Sequence, residues 1–237
     1  MTKRQKFWSR VTVVLLASAI VAFFAARAFY IEYRLGHLEP GWASVADRSG
    51  APSPDIVIFG DSRAANFRGA DALLGRGVEI AGIGGDTTPN MLVRLQKDVI
   101  ERKPDAVIIF AGINDLNTAS MLEDGKRAGI VAAAQANLAA MIAACREAGI
   151  EVIIPSVTPP VQPDIARALL WGDSSPDVEA LNERLAELNG EGVIYLPLEM
   201  VLMAGGEYGR ENFVDALHYS PLGYERIAAA LRGVMDD

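Results

Sequence analysis

Asp215-Ala216-Leu217-His218 holds one of only two histidines in this 237-residue chain and sets a carboxylate three positions before it. The other, His37, sits beside a membrane-type segment, so imidazole chemistry in a folded domain falls to His218. Far upstream, the run Ile56-Val57-Ile58-Phe59 stops at Gly60-Asp61 and delivers Ser62, the way an open α/β sheet exposes a nucleophile at a strand end. A serine hydroxyl is a poor nucleophile at neutral pH and needs a base within hydrogen-bond reach. His218 can serve as that base, and Asp215 can accept from the far ring nitrogen and fix its tautomer. Taken singly, Gly-Asp-Ser also reads as an ordinary turn, and Asp-x-x-His as a surface turn or helix cap; their joint presence favours chemistry.

Two more blocks lie between these ends. Gly82-Ile83-Gly84-Gly85-Asp86-Thr87-Thr88 follows a second apolar run, and Gly112-Ile113-Asn114-Asp115 follows a third, Ala106-Val107-Ile108-Ile109-Phe110. With Ser62, a glycine of the second block, Asn114 and His218 in this order, the chain resembles the SGNH (GDSL) hydrolases from about residue 55 to its end. Locally, residues 82–88 and 215–224 look most like the catalytic subunits of platelet-activating-factor acetylhydrolase and bacterial thioesterase/lysophospholipase relatives.

The resemblance implies a serine esterase that works without metal or organic cofactor. Ser62, His218 and Asp215 would form the triad, and the backbone N–H groups of Ser62 and Gly85 with the Asn114 amide would face the oxyanion. That donor set suits the task, because glycine lets backbone approach closely and a neutral amide donates without a change of protonation. The expected activity is hydrolysis of a short-chain acyl ester. The alternatives are an envelope polysaccharide O-acetylesterase or O-acyltransferase, a lysophospholipase or thioesterase, and, in another class, a non-catalytic binding module. A binder has no need of Ser62, Asn114, Asp215 and His218 together. Asp61, Asp86 and Asp115 read as carboxylates that organise their loops by capping backbone N–H groups.

Two positions depart from the family pattern. Ile80 stands where the second block often has asparagine, which removes a loop brace but no catalytic atom. Arg63 follows the nucleophile where an apolar residue is frequent; it either binds a substrate carboxylate or phosphate or salt-bridges locally. The long segment 157–177 carries Ile165, Leu169, Leu170 and Trp171, which either line an acyl site, Trp171 foremost, or form a short helix packed on the domain.

The elements that must position these residues follow from periodicity. Strands are expected at 55–59, 77–81, 105–110, 151–155 and 193–196, and helices at 89–100, 129–148, 176–188 and 221–234. Thr88-Pro89, Ser175-Pro176 and Ser220-Pro221 each offer an N-cap before a proline, and Gly149 and Gly190 stand where helices should stop. Strands alternating with helices imply a three-layer α/β/α domain, and the resemblance makes it flavodoxin-like, with a five-stranded parallel sheet that binds ligand beyond the strands' carboxyl ends.

Lys3, Arg4, Lys6 and Arg10 precede an uncharged stretch from Val11 to Ala26, and Arg27 interrupts before Ala28-Phe29-Tyr30-Ile31. This reads as a retained transmembrane anchor over residues 1–31, its basic flank cytoplasmic, followed by a linker at 32–54 and the hydrolase domain at 55–237. Signal-peptide cleavage near Ala26-Arg27-Ala28 is the alternative, giving a secreted protein. Either puts the domain outside the cytoplasm, on the periplasmic side if anchored.

The 22 basic residues include five in the first thirty, leaving 17 against 30 acidic ones in the remainder. That surface repels phosphate backbones, so the expected partners are a small-molecule, lipid or glycan ester and the membrane, with no nucleic acid. Cys145, the single cysteine, falls on the apolar stripe Val131, Leu138, Met141, Ile142 and reads as a buried structural thiol, and no structural zinc has a plausible ligand set.

Overall fold

The computed structural model describes residues 2–41, 52–204 and 206–236, and its contacts divide the chain into two units, Met1–Gly36 and His37–Asp237. The first unit is one helix, α1 (Lys3–Gly36), 34 residues long with none buried. Its most apolar window has a mean hydropathy of 2.2, and at 1.5 Å per residue it exceeds the length needed to cross a bilayer. The helix continues past Ile31 because Glu32-Tyr33-Arg34-Leu35 contains no breaker before Gly36. The first residues of the expected linker are therefore helical, and its portion at 42–51 lies outside the described residues.

The second unit runs β1 (Ile56–Gly60), α2 (Ser62–Ala65), α3 (Ala70–Leu74), β2 (Val78–Gly82), α4 (Thr88–Asp98), β3 (Ala106–Phe110), α5 (Ile113–Ala119), α6 (Asp124–Glu147), β4 (Glu151–Pro155), α7 (Ile165–Leu170), α8 (Ser175–Ala186), β5 (Val193–Leu196), α9 (Glu199–Leu202), a hairpin of β6 (Met203–Ala204) and β7 (Glu207–Tyr208), and α10 (Pro221–Met235). The five main strands form one parallel sheet in the order β2-β1-β3-β4-β5. Strand period 2 sends Val57, Phe59, Val107 and Ile109 to one core cluster, with Leu138 and Met141 of α6, and Ile56, Ile58, Ile108 and Phe110 to the other, with Ile227 and Leu231 of α10. Both sheet faces are thus covered, the expected α/β/α sandwich.

Each main strand lies at its expected place within a residue or so. α6 begins at Asp124, five residues before the expected start, since Gly125 and Gly129 are carried inside the helix. It too is long and apolar enough to cross a membrane, but Leu138, Met141, Ile142 and Cys145 are buried, as in a core helix. Burial pushes the Cys145 thiol up to about 12, consistent with an inert structural role. Ser220 caps α10 by accepting from the Gly223 N–H. At α4 and α8 the cap position is one residue earlier than expected, at Thr87 and Ser174.

His37 differs more from expectation. It is buried, and its carbonyl accepts from Thr87 Oγ1 at 2.5 Å and Asn90 Nδ2 at 2.6 Å. Both histidines therefore belong to the domain, and geometry, not chain position, distinguishes them.

Candidate active site

In register, Gly60 pairs with Gly82 on one side and with Phe110 on the other, so three of the motif blocks leave neighbouring strands at the same sheet edge. Backbone bonds stitch them together: Ile83 N–H donates to the Gly60 carbonyl at 2.9 Å and Asp61 N–H to the Phe110 carbonyl at 3.0 Å. Gly60 is required where it stands. It has φ +149°, and an added Cβ would lie 2.0 Å from the Phe110 carbonyl oxygen.

Asp61 caps α2, its Oδ1 accepting from the Arg63 N–H at 2.8 Å, and Ser62 opens that helix. Ser62 Oγ lies 2.9 Å from His218 Nε2, and His218 Nδ1 lies 2.8 Å from Asp215 Oδ2. The other carboxylate oxygen of Asp215 accepts from the Leu217 and His218 N–H groups at 2.7 and 2.9 Å. Partial burial would raise this acid, but those two N–H bonds and the His218 ring prevail and hold it well below the usual carboxylate range. Ser62, His218 and Asp215 are all partly exposed, so the array opens to solvent.

Of the expected oxyanion donors, Ser62 N–H lies in the first turn of α2, where helices leave N–H groups without internal partners. Gly85 sits at φ +79°, a conformation glycine adopts without penalty. Among the described residues neither N–H donates to a backbone carbonyl. Asn114, buried at the start of α5, donates from Nδ2 to the Asp86 carbonyl at 2.9 Å, which ties the third block to the second. A further tie comes from Asp115, which accepts from the Thr88 N–H at 3.1 Å and Oγ1 at 2.8 Å. Burial pushes Asp61 up to about 6 and Asp115 up to about 7. The three loop aspartates do cap backbone N–H groups, since Asp86 accepts from Thr87 at 3.1 Å.

The sequence reading missed Arg94. Its side chain is 1% exposed and donates to Asp86 Oδ2, Asp98 Oδ2 and the carbonyls of Ala81 and Gly60, each at 2.8 Å. It joins the ends of β1 and β2 to the Gly85-Asp86 turn. The one available signal was an Arg-x-x-x-Asp pair on α4, which a sequence reader takes for a surface i,i+4 pair.

Arg63 is held by main-chain carbonyls, and among the described residues it forms no salt bridge. It is 3% exposed, and Nε and Nη2 donate to the carbonyls of Leu217 at 3.1 Å and Thr158 at 2.9 Å, with the guanidinium 5.2 Å from the Tyr219 ring centroid. Its work is to clamp the residue before His218. Trp171 ends α7, partly exposed, with the Arg167 guanidinium 5.3 Å from its ring centroid. Arg167, also missed, reaches Asp215 Oδ2 at 3.4 Å. Ile165 and Leu169 on the same helix are exposed, not lining a closed pocket.

Comparison with known proteins places the family and the fold. A profile of the GDSL-like lipase/acylhydrolase family matches residues 43–226. The chain is 35% identical over 82 residues to the uncharacterized lipoprotein YqeF of Bacillus subtilis (strain 168), a match to 35% of this chain and 32% of the relative. It thus spans about a third of that relative's length. A candidate platelet activating factor from Streptococcus pneumoniae superposes with a TM-score of 0.66 at 20% identity, covering 94% of this chain and 99% of that one. A variant of an acetyl-xylooligosaccharide esterase from Geobacillus stearothermophilus gives 0.58 at 20% identity, covering 76% and 93%. At such identities the solved structures establish the fold.

Proposed function

We propose, from the premise that this chain belongs to the GDSL-like lipase/acylhydrolase family, that it is a serine esterase cleaving short-chain acyl esters through an acyl-enzyme. The observation that carries the reading is the continuous relay from Ser62 Oγ through His218, at 2.9 Å, to Asp215, at 2.8 Å. Ser62 attacks the ester carbonyl while His218 Nε2 takes its proton. Asp215, held anionic, accepts from Nδ1 and stabilises the imidazolium. The N–H groups of Ser62 and Gly85 and the Asn114 amide meet the developing oxyanion. Collapse expels the alcohol, protonated by His218, and a water activated by the same imidazole releases the acid.

The local likeness of residues 82–88 and 215–224 to acetylhydrolases supports a short acyl group, and similarity to the fold of an acetyl-xylooligosaccharide esterase is compatible with it. One observation favours a second reading, a lysophospholipase or thioesterase: α7 presents Ile165 and Leu169 at 81% and 58% exposure beside Trp171, which would suit a longer chain. A series of aryl esters separates them. One methylene changes discrimination by only about 1–3 kcal/mol, so preference is graded. On the short-acyl reading kcat/KM peaks between acetyl and butyryl and falls by octanoyl. A steady rise to octanoyl that Trp171→Ala removes establishes the second reading instead.

For location, the reading is a membrane-anchored enzyme: residues 1–31 hold the basic flank and anchor, 32–54 lead to the domain at 55–237, and the domain faces the extracytoplasmic side. The exposed apolar surface of α1 and the basic residues in its first turns support this.

A further inference from the structure

The two sides of the Ser62–His218 pair are built differently. On one side the segment after β4 closes onto α5: Ser174 Oγ bonds Asn117 Oδ1 at 3.1 Å, and a Cβ added to Gly172 would lie 2.1 Å from the Ser120 carbonyl oxygen. Since α5 carries Asn114, this is the oxyanion side. On the other side a cavity of about 590 Å³ opens between α3, the 214–219 loop and the start of α10, with His218 among its lining residues and Ser62, Gly85 and Asn114 not among them. Its volume is that of a small-molecule site.

We infer that this cavity holds the alcohol portion of the ester, and that the alcohol is a carbohydrate. The inference rests on the esterase reading of Ser62. In the tetrahedral intermediate the oxyanion faces the N–H donors, whereas the leaving oxygen lies within reach of His218 Nε2, which must protonate it. As the Ser62 Oγ–acyl bond forms and the bond from the acyl carbon to the alcohol oxygen breaks, the proton taken from Ser62 passes through Nε2 to that oxygen. The remainder of the alcohol then extends from His218 away from the oxyanion donors, into this cavity.

The lining sets the class. Ala72, Leu73, Val214 and Pro221 supply apolar surface, while Asn66, Arg68 and Glu225, all exposed, bring an amide, a guanidinium and a carboxylate. A hydrocarbon tail has no use for these three polar groups. A sugar ring presents a C–H face to apolar side chains and hydroxyls at its edge to donors and acceptors of both kinds.

The test uses the full chain with three acetates: O-acetylated methyl glucoside, ethyl acetate and 4-nitrophenyl acetate. All three pass through the same acetyl-enzyme, so differences among them arise before the alcohol leaves. The expected result is that kcat/KM for the sugar acetate exceeds that for ethyl acetate by tenfold or more, and that this ratio drops about tenfold in Ala72→Trp, which fills the cavity from its exposed edge. Glu225→Ala, an exposed rim change, lowers the same ratio about tenfold, the worth of a charged hydrogen bond near 1.4 kcal/mol. A wild-type enzyme that turns over 4-nitrophenyl acetate but favours neither alcohol overturns the carbohydrate assignment. Variants that alter selectivity among acyl lengths at fixed alcohol, and not the ratio, reassign the cavity to the acyl group and also overturn it. Failure on all three acetates, with no fluorophosphonate labelling, refutes the esterase reading underneath.

Discussion

Asn114 illustrates how a single side chain separates binding from charge stabilisation. Its amide is buried and fixed by the Asp86 carbonyl at 2.9 Å, so on the proposed reading it would meet the developing oxyanion without reorganising. The energy of such a donor is realised mainly in the transition state. Asn114→Ala is therefore expected to lower kcat by about 10² to 10³ with little change in KM. Asn114→Asp should be worse, because a carboxylate would face like charge. Steady-state kinetics on an aryl ester decide it, and an effect mainly on KM would instead make Asn114 a substrate-binding group. At this scale Ser62, Asn114, Asp215 and His218 were legible because their chemistry is intrinsic to residue type and block order. Arg63 and Arg94 were not, since the main-chain carbonyls they donate to, and for Arg94 the Asp86 carboxylate as well, become neighbours only after folding.

Elements hold these side chains through buried polar ties that carry a pH dependence. The N-terminus of α4 is bound to α5 by Thr88 and Asp115, and burial pushes Asp115 up to about 7. A folded state with the raised value keeps a proton that the unfolded chain releases. The stability from this group is complete below about pH 4 and lost as pH rises through the folded value. Asp61 acts in the same direction, its window ending at about 6. Asp215 has the opposite sign: its depressed value contributes stability above the usual carboxylate range, lost on acidification. From pH 5 to 8 the first two dominate, so the urea midpoint should fall with rising pH, and Asp115→Asn should flatten that fall. A midpoint that climbs over this interval, or an unchanged slope in the variant, contradicts the account.

The strands that carry these ties were legible as apolar runs ending in glycine. The short helices α2, α3 and α5 were not, since four to seven residues give too little of the 3.6-residue period to read, and α7 was open to reading only as one of two alternatives for its segment.

Along the whole chain, a helix with none of its residues buried is followed in sequence by a domain with a closed two-faced core. If α1 is retained as an anchor, the full-length protein should resist carbonate extraction, and protease added to spheroplasts should reach the domain; a mature N-terminus near Phe29 would show cleavage instead. The central claim is the nucleophile, and mapping a fluorophosphonate adduct tests it most directly. Wild-type protein should carry one adduct, on Ser62, while Ser62→Ala should fold normally, take no label and lose about 10⁴ to 10⁶ in rate. Labelling that persists in Ser62→Ala, or that maps to a different serine in the wild type, would contradict the account.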